Sequence, residues 1–541
     1  AARLMQPGIM LLFTLAFTVA YFLLAHEGFY FNDDYFYASL AGKLSNGTFQ
    51  PEDLPGYHRF LIFGPAALIY NLIGVNIYTV TLWPLLCTLA CLVFIYFLFR
   101  REDAILTTWA LILTGLNFHT LFLSTYFFPD TIIMFFALAA AGSLYAARRS
   151  GSRPVWFAFW FVLANFAALL AKETIVYYLP FYLLVAASDF FRKKHSVFWL
   201  TSLGLGVLVL FFYLLYYKIT FGSFLYRFSM VENTNLLMEG NYVTDPDKDL
   251  TPRLTTAPFF FFIGSGLFFT MAFCFRFFRR QLNHSYFNLE NAAAFWFWLA
   301  VVVLLQYWFG STSINYYNPI TLIPRMTTPL LPALAIAAAY QLRNYFQKPS
   351  GELWFAIPLL LAAYFNRSAV AVVYILPGLY FLGVWFLRKR RNFIPQAALF
   401  GLVLIVAQAV RPIHFMLKPS VSGFFPQEEV IKEFLNQPHQ KAVLFTDGWL
   451  EQSAPYYFHF KPNPNVEFRN YLAADSVKEE DYRDRFLLVN TKTLVNPDLQ
   501  YYPPKPRYNL PEAEIFRLFP NRELVAENGP VKLYRVFQGK R

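Results

Sequence analysis

Apolar stretches long enough to cross a bilayer recur along the first three-quarters of this chain, and they fix its class before any motif is considered. They can be drawn at about 9–25, 61–75, 78–99, 104–126, 131–147, 155–171, 174–190, 196–217, 258–276, 292–309, 326–342, 353–386 and 394–411. The run 353–386 is too long for one helix, and Asn366-Arg367-Ser368 divides it. Composition agrees: the 541 residues are 57% hydrophobic and 14% charged, whereas soluble proteins carry about a quarter charged residues. The chain reads as a polytopic α-helical membrane protein. Its first apolar stretch lacks a small-residue cleavage site and leads into a polar loop, so it reads as a retained helix and not a signal peptide.

The formal net charge is +12. In a soluble protein that excess would suggest nucleic acid. Here the basic residues gather in short turns: Arg100-Arg101, Arg148-Arg149, Arg192-Lys193-Lys194, Arg279-Arg280 and Arg388-Lys389-Arg390-Arg391. That is the positive-inside pattern, so nucleic acid is not expected as a partner. If all five turns face the cytoplasm, the loops 26–60, 127–130, 218–257 and 310–325 face outward. This requires one early segment not to cross. Segment 61–75 is the shortest and holds Gly64-Pro65, so it is expected to be re-entrant or interfacial. About 13 spans follow, with the N-terminus inside. The three cysteines, Cys87, Cys91 and Cys274, lie in apolar runs and offer neither a disulfide framework nor zinc-ligand spacing.

The character of the chain changes near residue 418. Glu428 to Leu435 reads as a helix. Ala442 to Phe445 and Phe486 to Val489 read as buried strands. Glu523 to Ala526 and Val531 to Val536, joined by Asn528-Gly529-Pro530, read as a hairpin. Residues 1–417 are therefore expected to form a transmembrane domain, and 418–541 an outward-facing α/β domain without a glycine-rich phosphate loop.

Four features converge on the outward side under this topology. Asn32-Asp33-Asp34-Tyr35-Phe36-Tyr37 follows the first span, and two adjacent carboxylates at a membrane surface are costly to keep desolvated. Phe128-Pro129-Asp130 opens a span; as a cap, Asp130 needs no further role. Lys172-Glu173 lies between two apolar runs, either as an interfacial ion pair or with Lys172 gripping a phosphate. Pro324-Arg325 starts another helix, where Arg325 is a second anion contact or a snorkelling side chain. His58-Arg59 adds basic groups on the same side. Asp33, Asp34 and Asp130 could together hold a hard divalent cation, magnesium or manganese, through oxygen. There is no Gly-x-Ser-x-Gly and no Walker lysine loop.

In this order these residues resemble the polytopic GT-C glycosyltransferases, in particular the protein O-mannosyltransferase and aminoarabinose-transferase group (glycosyltransferase family 39 and bacterial relatives). The landmarks run over roughly residues 1–345: Asp33-Asp34-Tyr35-Phe36-Tyr37-Ala38, Gly74-Val75-Asn76, Pro129-Asp130, Leu170-Ala171-Lys172-Glu173, and Pro324-Arg325 with Leu331-Pro332. Three departures stand out. The family often has Asp-Glu in place of Asp33-Asp34 and Arg-Tyr in place of Arg325-Met326. A Lys-Pro pair commonly closes the family's first loop, and here His58-Arg59 stands nearby.

The resemblance implies inverting transfer of a sugar from a polyprenyl-phosphate donor to an acceptor hydroxyl on a glycan, lipid or protein. The expected location is the outer face of a bacterial inner membrane. Asp33 would be the base, and Asp34 and Asp130 would orient it, the acceptor or a metal. Lys172, Arg325 and Arg59 would neutralise the leaving phosphate, with Tyr37, His58 and Glu173 among the substrate-binding residues. The alternatives are an oligosaccharide transferase of the same superfamily, a transporter or lipid flippase, and a non-catalytic scaffold.

Overall fold

The computed structural model describes residues 6–29, 32–150, 152–237, 241–280, 288–391, 394–418, 420–438, 441–474, 482–495 and 510–537. Among the described residues, nine helices are long and apolar enough to cross a membrane, or up to eleven if two bent pairs each count as one span. The expectation of about 13 exceeds this. One apolar stretch forms a helix too short for an ordinary crossing, Leu353–Phe365 with 13 residues. Apolar length in sequence is not the same as unbroken helix length. Helix Phe60–Ile73 is also short, at 14 residues with Pro65 inside. Its length of ~21 Å falls below a ~30 Å hydrocarbon core.

Asn366 ends helix Leu353–Phe365 as the sequence suggested: its side chain donates to the Ile263 carbonyl at 2.9 Å and accepts the Ser368 amide at 3.0 Å. Two breaks were not legible. Ala104–Gly115 and Phe118–Ser124 meet at 57°, and Ala257–Ser265 meets Phe268–Phe277 at 104°. Gly266 at the second break has φ +89°, a conformation that side-chain-bearing residues rarely adopt.

The basic turns collect at one end of the bundle. Arg148 pairs with Asp189, and Arg149 lies 3.5 Å from Glu102. Arg192 and Lys194 meet Glu290 at 3.7 and 2.7 Å. The side chains of Arg279, Arg280 and Arg391 lie outside the described residues. Helix Pro129–Ser150 carries Arg148 and Arg149 in its last turn and Asp130 in its first. The acidic landmarks are thus at the opposite end.

The C-terminal region forms a five-stranded sheet in the order β2-β1-β3-β5-β4. The strands are β1 (Ala442–Thr446), β2 (Val466–Asn470), β3 (Asp484–Asn490), β4 (Arg522–Asn528) and β5 (Val531–Val536). β1 runs parallel to β2 and β3, while β5 pairs antiparallel with β3 and β4. Leu444 and Phe486 pack on one face of the sheet, and Val443 and Leu487 on the other. Burial on both faces explains why these strands read as continuous apolar runs. β2 was missed because Val-Glu-Phe-Arg-Asn alternates over only five residues.

This sheet domain is seated on helix Asn32–Ser45, which carries the acidic pair. Phe460 lies so close that a Cβ on Gly42 would sit 2.2 Å from its ring, and Phe424 likewise approaches Gly28. Phe460 also stacks on Tyr70 at 6.2 Å, and Phe424 meets Phe29 at 6.3 Å. Gly42→Leu is expected to lift the domain off this helix and lower the melting temperature. Adding Phe460→Ala should recover part of the loss, because the ring is the obstacle. Thermal unfolding and limited proteolysis near residue 418 check this; equal stability of Gly42→Leu and wild type would contradict it.

Candidate functional site

The predicted landmarks converge, although they come from five separate segments. Asp33 and Asp34 occupy the first turn of helix Asn32–Ser45, where the helix dipole favours negative charge. Asp34 is buried and accepts the Tyr35 amide at 2.7 Å. Asp33 stays half exposed and pairs with Arg325 at 2.6 Å. Arg325 comes from the short helix Pro324–Thr327 and lies over the Phe128 ring at 4.5 Å. Its burial disfavours the guanidinium charge, but Asp33 and Asp130 outweigh that and raise its pKa.

Asp130, in the first turn of helix Pro129–Ser150, is buried. Its Oδ1 accepts from Lys172 at 3.2 Å, while its Oδ2 has no hydrogen-bond partner. Lys172 has an extended backbone between helix Pro154–Ala171 and the 3₁₀ turn Glu173–Tyr178. That one extended residue carries Lys172 to Asp130 and leaves Glu173 free to face a different pair of cations. The Lys172 Nζ also contacts Met326 Sδ at 2.8 Å.

A second network adjoins the first. Arg59 donates to the Tyr37 hydroxyl at 2.7 Å and to Glu173 at 3.0 Å. Burial pushes the Tyr37 hydroxyl up, against the opposing pull of Arg59, so Tyr37 is a neutral phenol. Glu173 is also held by Arg227 at 2.6 Å. The buried Arg227 further donates to the His58 carbonyl at 3.3 Å and to the Leu169 carbonyl at 3.1 Å. Arg227 was not predicted. It lies 54 residues from Glu173 in a segment with no periodic signal, so only the fold brings them together.

His58 does not join the charged groups. Its ring lies among Phe60, Tyr217, Phe221 and Tyr226 and bonds the Glu52 carbonyl at 3.1 Å. Burial lowers its pKa, and it contributes to the site through its backbone carbonyl.

Carboxylates Asp33, Asp130 and Glu173 therefore face cations Arg59, Lys172, Arg227 and Arg325 in one region, with Asp34 beside Asp33 in the same helix turn. Asp33, Asp34 and Asp130 do not form a cation site in this structure. Among the described residues no three His, Cys, Asp or Glu side chains come together to hold a metal. Asp33 and Asp130 are instead occupied by Arg325 and Lys172, whose charges would oppose a divalent ion.

No family model matches the chain, and no curated protein matches it. Solved structures do. The chain is similar to ArnT from Cupriavidus metallidurans bound to undecaprenyl phosphate, with TM-score 0.57 and 14% identity over 98% of both chains. The apo state of the same protein gives TM-score 0.52, again at 14% identity over 98% of both chains. An oligosaccharyltransferase from Archaeoglobus fulgidus aligns at TM-score 0.47 and 12% identity, over 90% of this chain and 70% of that one. Along nearly its whole length, this chain has the fold of ArnT.

Proposed function

We propose that this protein is a membrane glycosyltransferase that moves a sugar from a polyprenyl-phosphate donor to an acceptor hydroxyl at the outer membrane face, with inversion. The observation that carries this reading is the meeting of Asp33 and Asp130 with Arg325 and Lys172 at one end of the helical bundle. ArnT, which has the same fold, was captured with undecaprenyl phosphate.

The acceptor oxygen attacks the anomeric carbon, and its proton passes to the Asp33 carboxylate. The bond from that carbon to the phosphate oxygen breaks, and its electron pair leaves with the polyprenyl phosphate. Arg325 and Lys172 neutralise the charge that develops on that oxygen. Arg325 is held by Asp33 before the donor arrives. This pair is partly exposed, and such pairs are worth only about 0–1 kcal/mol. A donor phosphate can therefore take over the guanidinium and free Asp33 to accept a proton. Lys172, buried against Asp130, keeps its partner throughout. The open Oδ2 of Asp130 suits a hydroxyl donated by the substrate. The charges lie at helix ends, which weighs against a transport path through the mid-membrane.

The test incubates purified protein with a panel of polyprenyl-phosphate sugars and membrane-extract acceptors. Release of polyprenyl phosphate together with sugar transfer is expected for one donor. No release from any donor would refute the reading.

The outward orientation has its own check. Thr48→Cys and Gln437→Cys, in a background lacking Cys87, Cys91 and Cys274, should both react with an impermeant thiol reagent on intact cells. Lys194→Cys should react only after permeabilisation. Reaction of Thr48→Cys and Gln437→Cys on opposite sides would separate the α/β domain from the acidic helix.

A further inference from the structure

A cluster of basic and polar groups stands apart from Lys172 and Arg325, where the two broken helices meet helix Ala397–Leu417. The break after Gly115 and the break after Ser265 face each other across a cavity of about 30 Å³ lined by His119, Gly266, Gln408 and Arg411. The Ser265 carbonyl, freed by its break, accepts from His119 Nε2 at 2.9 Å and from Arg411 at 3.3 Å. Those contacts explain the backbone but not the whole cluster. Gln408 is only 4% exposed, and its amide oxygen has no partner, while its amide nitrogen reaches the Ile112 carbonyl at 3.3 Å. A buried acceptor without a donor marks a place where a group is missing.

Arg411 forms no ion pair among the described residues. It lies over the Phe118 ring at 3.6 Å. An arginine inside an apolar helix is expensive without a counter-charge. It stands six residues before Leu417, the helix end that leads to the α/β domain, or ~9 Å at 1.5 Å per residue. That depth suits a lipid headgroup. His414 and Lys418 follow at spacings of three and seven residues, so they share its helix face, and both are exposed. Three basic groups on one helix face near the helix end are complementary to an anion at the membrane boundary.

The place is separate from the candidate active site. Rings Phe118, Phe122, Tyr126 and Phe128 follow one another at 5.4, 4.7 and 6.0 Å. Arg411 covers the first ring and Arg325 the last. The two arginines thus sit at opposite ends of a four-ring ladder.

We propose that Arg411, flanked by His414 and Lys418 and backed by the polar cavity at Gln408, holds the phosphate headgroup of an anionic glycerophospholipid. This site does not depend on the proposed glycosyl transfer.

The experiment uses full-length protein carrying Arg325→Met, which removes the partly exposed arginine of the proposed donor site. Binding of dioctanoyl phosphatidic acid, dioctanoylglycerol and inorganic phosphate is measured by native mass spectrometry. The phosphatidic acid is expected to bind. Adding Arg411→Met should weaken it about tenfold to a hundredfold, the worth of a charge-assisted contact. Adding His414→Gln with Lys418→Gln, at exposed positions that leave the fold intact, should weaken it severalfold. Dioctanoylglycerol should show no change with either set. Unchanged phosphatidic acid binding in the His414→Gln/Lys418→Gln protein would overturn the proposal even if Arg411→Met fails to fold. Inorganic phosphate binding as tightly as the lipid would overturn the headgroup assignment.

Discussion

Asp33→Asn is expected to lower turnover by about 10²–10⁴-fold, the range a general base supplies. The fold should survive. Asp33 is half exposed, and its ion pair with Arg325 is partly open to solvent, so removing it should cost less than about 1 kcal/mol. Asparagine keeps the volume and the position at the helix start, and loses only the ability to take a full proton. Turnover of the purified variant, with its melting temperature measured alongside, separates chemistry from folding. Near-normal turnover would end the assignment of Asp33 as base and would shift attention to Asp34.

Lys172→Met is expected to be the most destabilising single substitution at the site. Its Nζ is the partner of Asp130, and both residues are buried. Stripping one partner from such a pair typically costs about 3–5 kcal/mol, because the remaining charge has neither water nor a counter-ion. Asp130→Asn in the same chain should restore much of that loss. Thermal unfolding of the wild type, the single variant and the double variant is the measurement. A double variant no more stable than Lys172→Met would show that the pair is not what Lys172 contributes.

Arg325→Met should behave differently. It leaves a half-exposed carboxylate, so stability should barely change. Affinity for the polyprenyl-phosphate donor should fall about tenfold to a hundredfold. The matching polyprenol should bind as before, because it lacks the anion. Equal losses for both lipids would mean that Arg325 shapes the groove and does not read the phosphate.

Much of the site was legible because each contributor carried a local signal. Asp33-Asp34, Pro129-Asp130, Lys172-Glu173 and Pro324-Arg325 are charges at the ends of apolar runs, and the spacing of basic turns placed them on one side. Pairing was not legible. Nothing near Lys172 in the chain says that it faces Asp130 while its neighbour Glu173 faces Arg59 and Arg227. His58 shows the converse: a histidine beside Arg59 drew notice, yet its ring is packed among aromatic side chains. The three aspartates are likewise not gathered into one cluster among the described residues, since proximity in sequence-derived topology says nothing about which charges neutralise each other.

The sequence by itself determined the class of the protein. Apolar length and scarce charge require a membrane solvent, basic turns assign the two ends, and the loss of apolar runs after residue 418 marks a separate α/β domain. These are one-dimensional properties, set by how each segment partitions between water and lipid. Tertiary structure decided the rest: the bends at Leu116–Asn117 and Gly266, the seating of Phe460 against Gly42, and the matching of Asp33, Asp130 and Glu173 to four cations. Those outcomes depend on which side chains meet across tens or hundreds of residues. The energy of a buried charge or a close-packed glycine is set by that neighbour and not by the residues beside it in the chain.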